Sequence, residues 1–278
     1  MPIRLSLPEP FKNAVAQRPQ VGLWVCSGSA LNAEILAGSG IDWLMIDAEH
    51  SPNTLSTLLG QLQAVAAYPT YPIVRPPVGD TVLLKQYLDL GVQNLIVPMV
   101  DNAAQAEEIV KAVHYPPRGV RGVGSALGRS ARWNRVEGYL PNASETLTLF
   151  VQIESAEAAN NVEEILAVDG VDGIFLGPSD LSASMGFIGQ GDHPDVLAAI
   201  DKSIAAAKAA GKPVGINAFD QNAARGFLEQ GVDFILVGAD VSILARASEK
   251  FADDFIPADV IEQRSAGAAG SDKPRASY

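Results

Sequence analysis

SGIDWLMI at residues 39–46, LGVQNLIV at 90–97, DGVDGIFL at 169–176 and QGVDFILV at 230–237 share one pattern. In each, a glycine (Gly40, Gly91, Gly170 or Gly231) leads through a β-branched residue into an apolar run. Glycine takes the left-handed conformation that ends a helix without a Cβ penalty. Each copy therefore reads as the turn out of a helix and into a strand.

Working outward from these turns, eight apolar runs read as strands. They are Val21–Cys26, Asp42–Asp47, Pro72–Arg75, Asn94–Met99, Thr146–Glu154, Asp172–Gly177, Pro213–Asn217 and Phe234–Gly238. The runs are continuous rather than alternating, as in parallel strands covered on both faces. Helical patterns lie between them: Ser29–Ser39, Thr54–Ala67, Thr81–Leu90, Ala103–Val113, Ala156–Val168, Pro194–Ala210, Gln221–Gln230 and Val241–Phe255. The spacing is too irregular for a solenoid. Eight βα units in about 250 residues predict an α/β fold of the TIM barrel type, a (β/α)8 barrel of eight parallel strands. A doubly wound sheet would bind its ligand at a switch point, but no GxGxxG follows the first run and no Walker A sequence occurs.

The 278 residues would allow two small domains at about 100–200 residues each. The expectation is instead one barrel domain over 1–260, followed by a small, polar, disordered tail over 261–278. Hydrophobic residues make up 47% of the chain, too many for intrinsic disorder, and the lone Cys26 excludes an internal disulfide framework. A net charge of −12 argues against nucleic acid and anionic membrane surfaces as partners. No run of 18 apolar residues could span a bilayer, and prolines interrupt the opening MPIRLSLPEPF where a signal peptide needs an apolar stretch. A soluble, cytoplasmic protein is expected.

In such a barrel the chemistry sits at the C-terminal ends of the strands. Those ends carry Asp47-Ala48-Glu49-His50, Arg75-Pro76-Pro77, Gln152-Ile153-Glu154 and Gly177-Pro178-Ser179-Asp180. Neighbouring strands lie about 4.8 Å apart, so Glu154 and Asp180 could share a cation. Two carboxylates with the remaining positions open suit Mg²⁺, and Mn²⁺ or Co²⁺ as well. Read singly, Glu154 would cap the next helix and Asp180 would make an Asx turn; their joint placement points to a metal. His50 is the candidate base, since histidine titrates near neutrality, and Asp47 is expected to hold its tautomer. Arg75, a charge at the end of an apolar strand, calls for an anion: a substrate carboxylate, an enolate oxygen, or Asp47 and Glu49. None of the lysines falls inside a strand or at its C-terminal end, which excludes a Schiff-base mechanism. Cys26 has no histidine beside it in sequence and reads as a pocket wall. Tyr115–Pro141, an Arg-rich connection with five glycines, is long enough to be functional or an oligomer contact.

The strings GLWVCSGSALNAEILAGSGIDWLMIDAEHSPN, PIVRPPVGDTVLLKQYLDLGVQNLIVPMVD, YPPRGVRGVGSALGRSARWN, VQIES and GVDGIFLGPSDLSASMG closely resemble the HpcH/HpaI aldolase family. They are most similar to its branch of 4-hydroxy-2-oxo-heptane-1,7-dioate and 2-keto-3-deoxy-sugar-acid aldolases, and the resemblance runs from about residue 15 to 255. It implies a class II, metal-dependent aldolase that cleaves 4-hydroxy-2-oxo acids to pyruvate, or a related 2-oxo acid such as hydroxypyruvate, and an aldehyde. It assigns the metal to Glu154 and Asp180, the base to His50 and enolate stabilisation to Arg75. Asp89, which reads by itself as a helix-surface acid, would raise the basicity of the histidine. Gln152, Asp180, the Ser179 backbone and Trp24 would contact substrate. The resemblance also implies a homohexamer, a trimer of dimers that exchange the last helix, here Val241–Phe255. The loop Cys26-Ser27-Gly28-Ser29-Ala30 varies within the family, so the aldehyde preference stays open.

Two rival readings remain at the level of sequence. A CoA-ester lyase of the citrate lyase β or malyl-CoA type would need a basic groove, which the Arg-rich 115–135 segment could supply. A non-catalytic barrel would bind metal and small acids only.

Overall fold

The computed structural model describes residues 3–266. Its strands are β1 (Gln20–Val25), β2 (Trp43–Asp47), β3 (Tyr71–Arg75), β4 (Asn94–Val97), β5 (Thr148–Ile153), β6 (Gly173–Leu176), β7 (Val214–Asn217) and β8 (Phe234–Ala239). They pair in parallel and in sequence order, and β8 returns to β1 to close an eight-stranded barrel. The helices are α1 (Phe11–Val15), α2 (Ala30–Ala37), α3 (Leu55–Val65), α4 (Thr81–Asp89), α5 (Ala103–Val113), α6 (Tyr139–Asn142), α7 (Ala156–Asn160) and α8 (Val162–Ala167). The remaining ones are α9 (Pro178–Ser184), α10 (Pro194–Ala209), α11 (Gln221–Glu229), α12 (Asp240–Phe255) and α13 (Ala258–Ala266). Ser29, Thr54, Asp80, Asn102, Ser155 and Asp220 each cap a helix by accepting a backbone N–H, which fixes where the chain leaves a strand and turns back. At the other ends, Gly40, Gly91, Gly170 and Gly231 all have φ near +90°, as the repeated turn requires.

Strand side chains alternate between two separate cores. Leu44, Ile46, Val74, Val151, Ile153, Leu176 and Ile216 face outward and pack with the helices. Trp43, Met45, Ile73, Ile96, Phe150, Phe175 and Phe234 fill the barrel interior. Small residues make room for the large ones: a Cβ on Gly22 would lie 2.4 Å from the Trp43 ring, and one on Gly215 2.3 Å from Phe234. At the N-terminal end, Phe11 plugs the barrel, with its ring against Trp43, Tyr71, Phe150 and Phe234. Its N–H is held by Asn94 Oδ1 at 2.8 Å. Carrying the inward phase to the C-terminal ends of the strands brings it to Asp47, Arg75, Glu154 and Asn217, so the same alternation that builds the core aims these polar groups into the mouth.

Some boundaries differ from the sequence expectation. The helix expected over Ala156–Val168 is two helices, because Asn161 leaves helical geometry and restarts the chain at α8. Strand β4 stops at Val97, before Pro98, and Thr146 belongs to a short 3-10 turn rather than to β5. The tail expected to be disordered from 261 begins inside α13; residues 267–278 lie outside the described residues.

Candidate active site

The C-terminal mouth holds a cleft of about 420 Å³ lined by residues including Trp24, Asp47, His50, Arg75, Gln152 and Asp180. Arg75 is its organising cation, with its side chain only 6% exposed. Its Nε donates to Asp47 Oδ1 at 2.9 Å, and Nη1 lies 3.0 Å from Glu49 Oε2. The guanidinium stacks over the Trp24 ring at 4.4 Å, and Trp24 is fixed in turn by donating from Nε1 to Asn217 Oδ1 at 2.8 Å. Burial alone would lower the Arg75 pKa, but Asp47, Glu49 and Glu154 raise it above its ordinary value, so the charge is permanent. Arg75 is therefore a buried, aimed donor, as stabilisation of a developing anion requires.

Asp47 and His50 are adjacent as expected, but their link differs from the expectation. Asp47 accepts the backbone N–H groups of Glu49 at 3.0 Å and His50 at 3.2 Å, closing an Asx-type turn at the end of β2. With Arg75 on the same carboxylate, Asp47 is committed to backbone and guanidinium, and the acid nearest the imidazole is Glu49, 3.7 Å from His50 Nε2. The ring itself is open to the cleft, with its side chain 66% exposed.

Glu154 follows β5 and is buried. One oxygen accepts the Met99 N–H at 2.7 Å, and the other accepts the Gln152 amide. Met99 adopts φ 55°, an uncommon conformation for a side chain of its size, which turns its N–H toward the carboxylate just after Pro98 has ended β4. Burial, opposed by the Met99 bond but reinforced by Glu49 and Asp180, pushes the Glu154 carboxyl up to about 7. Asp180 stands in the first turn of α9 after β6, more exposed, at the rim. Gly177 lets this turn pass over the acid: a Cβ there would sit 2.9 Å from both Glu154 Oε2 and Gln152 Nε2.

The donor set fits a hard divalent cation. Glu154 is a buried acid among other acids, Gln152 Oε1 is a buried oxygen with no hydrogen-bond partner, and Asp180 adds a second carboxylate. No group of three His, Cys, Asp or Glu side chains among the described residues forms a metal cage, so an ion here would keep positions open for water and substrate. Ser179 lies beside Asp180 in the first turn of α9, whose N–H groups have no carbonyl one turn back to bind them.

Asp89 is not brought to this mouth by its own chain. Helix α4 starts at the C-terminal rim and delivers Asp89 to the opposite one, where it pairs with Arg121 at 3.2 Å. The Arg-rich connection also stays at that rim: Arg118 lies 3.4 Å from Asp169, and Arg129 and Arg132 lie over Gly91. Among the described residues, no basic groove borders the cleft. Cys26 lines the cleft as expected, and burial, with Asp47 and Asp240 adding, pushes its thiol up to about 12, which leaves it unreactive.

Sequence reasoning missed Met99, Asn217 and Asp240. Asp240 accepts the N–H of Cys26 at 2.8 Å and of Ser27 at 3.1 Å, tying the loop after β1 to α12. The inward phase of β7 marks Asn217, and Asp240 is a strand-end acid like the four that were noticed. Met99 had no sequence signal, because its backbone rather than its side chain does the binding.

Comparisons with known proteins agree with this geometry. Residues 20–247 match the family model of HpcH/HpaI aldolase/citrate lyase. A 4-hydroxy-2-oxo-heptane-1,7-dioate aldolase of Salmonella newport (strain SL254) is 50% identical over 261 residues, 94% of this chain and 98% of the relative. The crystal structure of an HpcH/HpaI aldolase/citrate lyase family protein from Burkholderia cenocepacia J2315 superposes with a TM-score of 0.85 at 40% identity, covering 88% of this chain and 98% of that one. The citrate lyase beta subunit of M. tuberculosis, solved with oxaloacetate and magnesium, shares the fold alone: TM-score 0.55 and 18% identity over 80% of this chain and 93% of that one.

Proposed function

Because this chain belongs to the HpcH/HpaI aldolase/citrate lyase family, we propose that its C-terminal mouth cleaves 4-hydroxy-2-oxo acids, 4-hydroxy-2-oxo-heptane-1,7-dioate among them, to pyruvate and an aldehyde. The observation that carries this reading is a cleft lined by the buried cation Arg75, with the buried acid Glu154 behind its wall residue Gln152 and His50 at its opening. Glu154 and Asp180 would hold Mg²⁺, Mn²⁺ or Co²⁺, with Gln152 Oε1 beside them. Bound there, the ion would act as a Lewis acid toward the 2-oxo acid.

The protein groups divide the remaining work. The substrate carboxylate meets the first-turn N–H groups of α9 at Ser179 and Asp180. The 4-hydroxyl lies toward His50, which takes its proton directly or through a water as the C3–C4 bond breaks. The electron pair of that bond moves onto the pyruvate half, and Arg75, held by Asp47 and stacked on Trp24, faces the negative charge that develops on the 2-oxo oxygen. Return of a proton to C3 releases pyruvate. Glu49 is the acid beside the ring, 3.7 Å from His50 Nε2.

Asp89 can serve His50 only from a second copy of the chain, since its own fold places it at the far rim. Helix α12 supports an oligomer. Asp240 is its only buried residue, while Leu244, Phe251 and Phe255 are 65–80% exposed, a row of apolar side chains that a partner subunit would cover. A hexamer built from dimers that exchange this helix is the arrangement we propose, to be read from the mass in solution. The single-domain organisation over 1–260 belongs to the same proposal.

The test is release of pyruvate, coupled to lactate dehydrogenase, from 4-hydroxy-2-oxo-heptane-1,7-dioate with Mg²⁺, Mn²⁺ or Co²⁺ supplied. Metal-dependent pyruvate formation is expected. No pyruvate from any 4-hydroxy-2-oxo acid would overturn the reading in favour of a non-catalytic barrel, and cleavage of CoA thioesters only would favour the lyase.

A further inference from the structure

At the opposite end of the barrel lies a second cavity, of about 450 Å³. One wall is apolar, from Leu62, Val65, Tyr68, Tyr71 and Pro72; the N-terminal segment around Leu5–Glu9 covers another. Arg129 and Arg132 line it together. Both Nη1 atoms converge on Gly91: a Cβ there would lie 2.7 Å from Arg132 and 3.0 Å from Arg129. Two guanidinium groups thus share one small space, and no ion pair engages either one among the described residues. Arg118 and Arg121, on the same connection, both have acidic partners.

Carbonyl groups satisfy the pair only in part. Arg129 donates to Leu90 O at 3.1 Å and Leu62 O at 3.5 Å, the ends of α4 and α3, and Arg132 donates to Arg129 O. Two guanidinium groups carry ten N–H donors between them, so most remain available. Burial, with Arg132 adding its charge, pushes the Arg129 pKa down to about 10, the mark of a cation without a counter-ion. Glu9, the acid in the wall, is instead contacted by Asn13 Nδ2 at 3.4 Å. Arg132 is also held at φ 50°, the first of three consecutive left-handed residues with Trp133 and Asn134. Such backbone is uncommon for residues that carry a side chain and persists where the surroundings demand it.

We infer that this cavity is a binding site for a small organic carboxylate with a compact apolar body. The carboxylate would take the paired guanidinium N–H groups, which match its two oxygens, and the body would rest on Leu62, Val65 and Tyr71. The site lies at the end of the barrel opposite the chain's own catalytic mouth and against Asp89, whose carbonyl accepts the N–H groups of Arg129 at 2.8 Å and Ser130 at 3.2 Å. Its occupant therefore adjoins the segment that holds Asp89.

Calorimetric titration of benzoate into the full chain, with the catalytic mouth saturated by Mg²⁺ and pyruvate, tests the inference. One benzoate per chain is expected, with binding weakened at least about tenfold in R129Q/R132Q and retained in R75Q. Benzamide, the same body without the charge, should give no heat, and inorganic phosphate should bind more weakly than benzoate. Should the double variant not fold by circular dichroism, R132Q alone, which keeps the Arg129 bonds to the helix ends, must show the loss. Absent benzoate binding, equal binding by the arginine variants, equal binding of benzamide, or tighter binding of phosphate would overturn it.

Discussion

The two rims of this barrel pair their charges differently. The C-terminal mouth sets Asp47, Glu49, Glu154 and Asp180 near a single arginine, Arg75, whereas at the N-terminal rim Arg118 and Arg121 pair with Asp169 and Asp89 while Arg129 and Arg132 converge on Gly91 with no ion pair among the described residues. An anionic substrate would be repelled by the acidic mouth unless a cation reversed its sign, and Arg75 alone is already neutralised by Asp47. The arginine pair at the opposite rim needs no cation to attract an anion. A chain of net charge −12 thus keeps this pair away from its chemistry, and its overall charge says nothing about the substrate.

The largest effect that separates the rims is expected for Arg75→Ala. It removes the donor aimed at the developing charge and leaves Asp47 buried without its partner, so kcat should fall by about 10³-fold in a pyruvate-release assay. A fall under tenfold would mean that the mouth stabilises charge without Arg75. His50→Ala should lower kcat by about 10²-fold with little change in KM; near-normal turnover would remove it as the base.

Asp89→Asn links the rims. If Asp89 serves His50 across subunits, kcat should drop about tenfold at unchanged KM and the acid limb of the pH profile should move. Mixed oligomers of Asp89→Asn and His50→Ala chains should then regain activity that neither has alone, since some interfaces join an intact His50 to an intact Asp89. No regain would confine Asp89 to its ion pair with Arg121.

Smaller effects concern packing and protons. Gly177→Ala forces a Cβ to 2.9 Å from Glu154 Oε2 and should cost about 1–3 kcal/mol in chemical denaturation, along with metal affinity. At the N-terminal rim, burial, reinforced by Arg118 and Lys12, pushes His114 down from 6.5 to about 4. Between these values the unfolded chain binds a proton that the folded chain refuses. Stability is therefore lost as pH falls from 6.5 toward 4, by up to ~3 kcal/mol. His114→Gln should flatten the melting temperature over that range.

Much of this was legible in the sequence because glycine and strand phase leave strong local marks. Gly40, Gly91, Gly170 and Gly231 announced the βα repeat, and polar residues ending apolar runs announced Asp47, Arg75, Glu154 and Asp180. What stayed hidden depends on contacts between distant segments. Asp47 binds backbone instead of the imidazole because a guanidinium from β3 arrives beside it. Met99 contributes an N–H, which no side chain advertises. The direction of α4, more than its sequence, decides that Asp89 faces the wrong rim of its own barrel.

Titration of Mg²⁺ or Mn²⁺ into the full chain in the presence of pyruvate tests the division between the rims most directly. One ion per chain is expected, lost in Glu154→Gln, weakened in Asp180→Asn and unchanged in R129Q/R132Q. Equal metal binding by the wild type and Glu154→Gln would contradict the account.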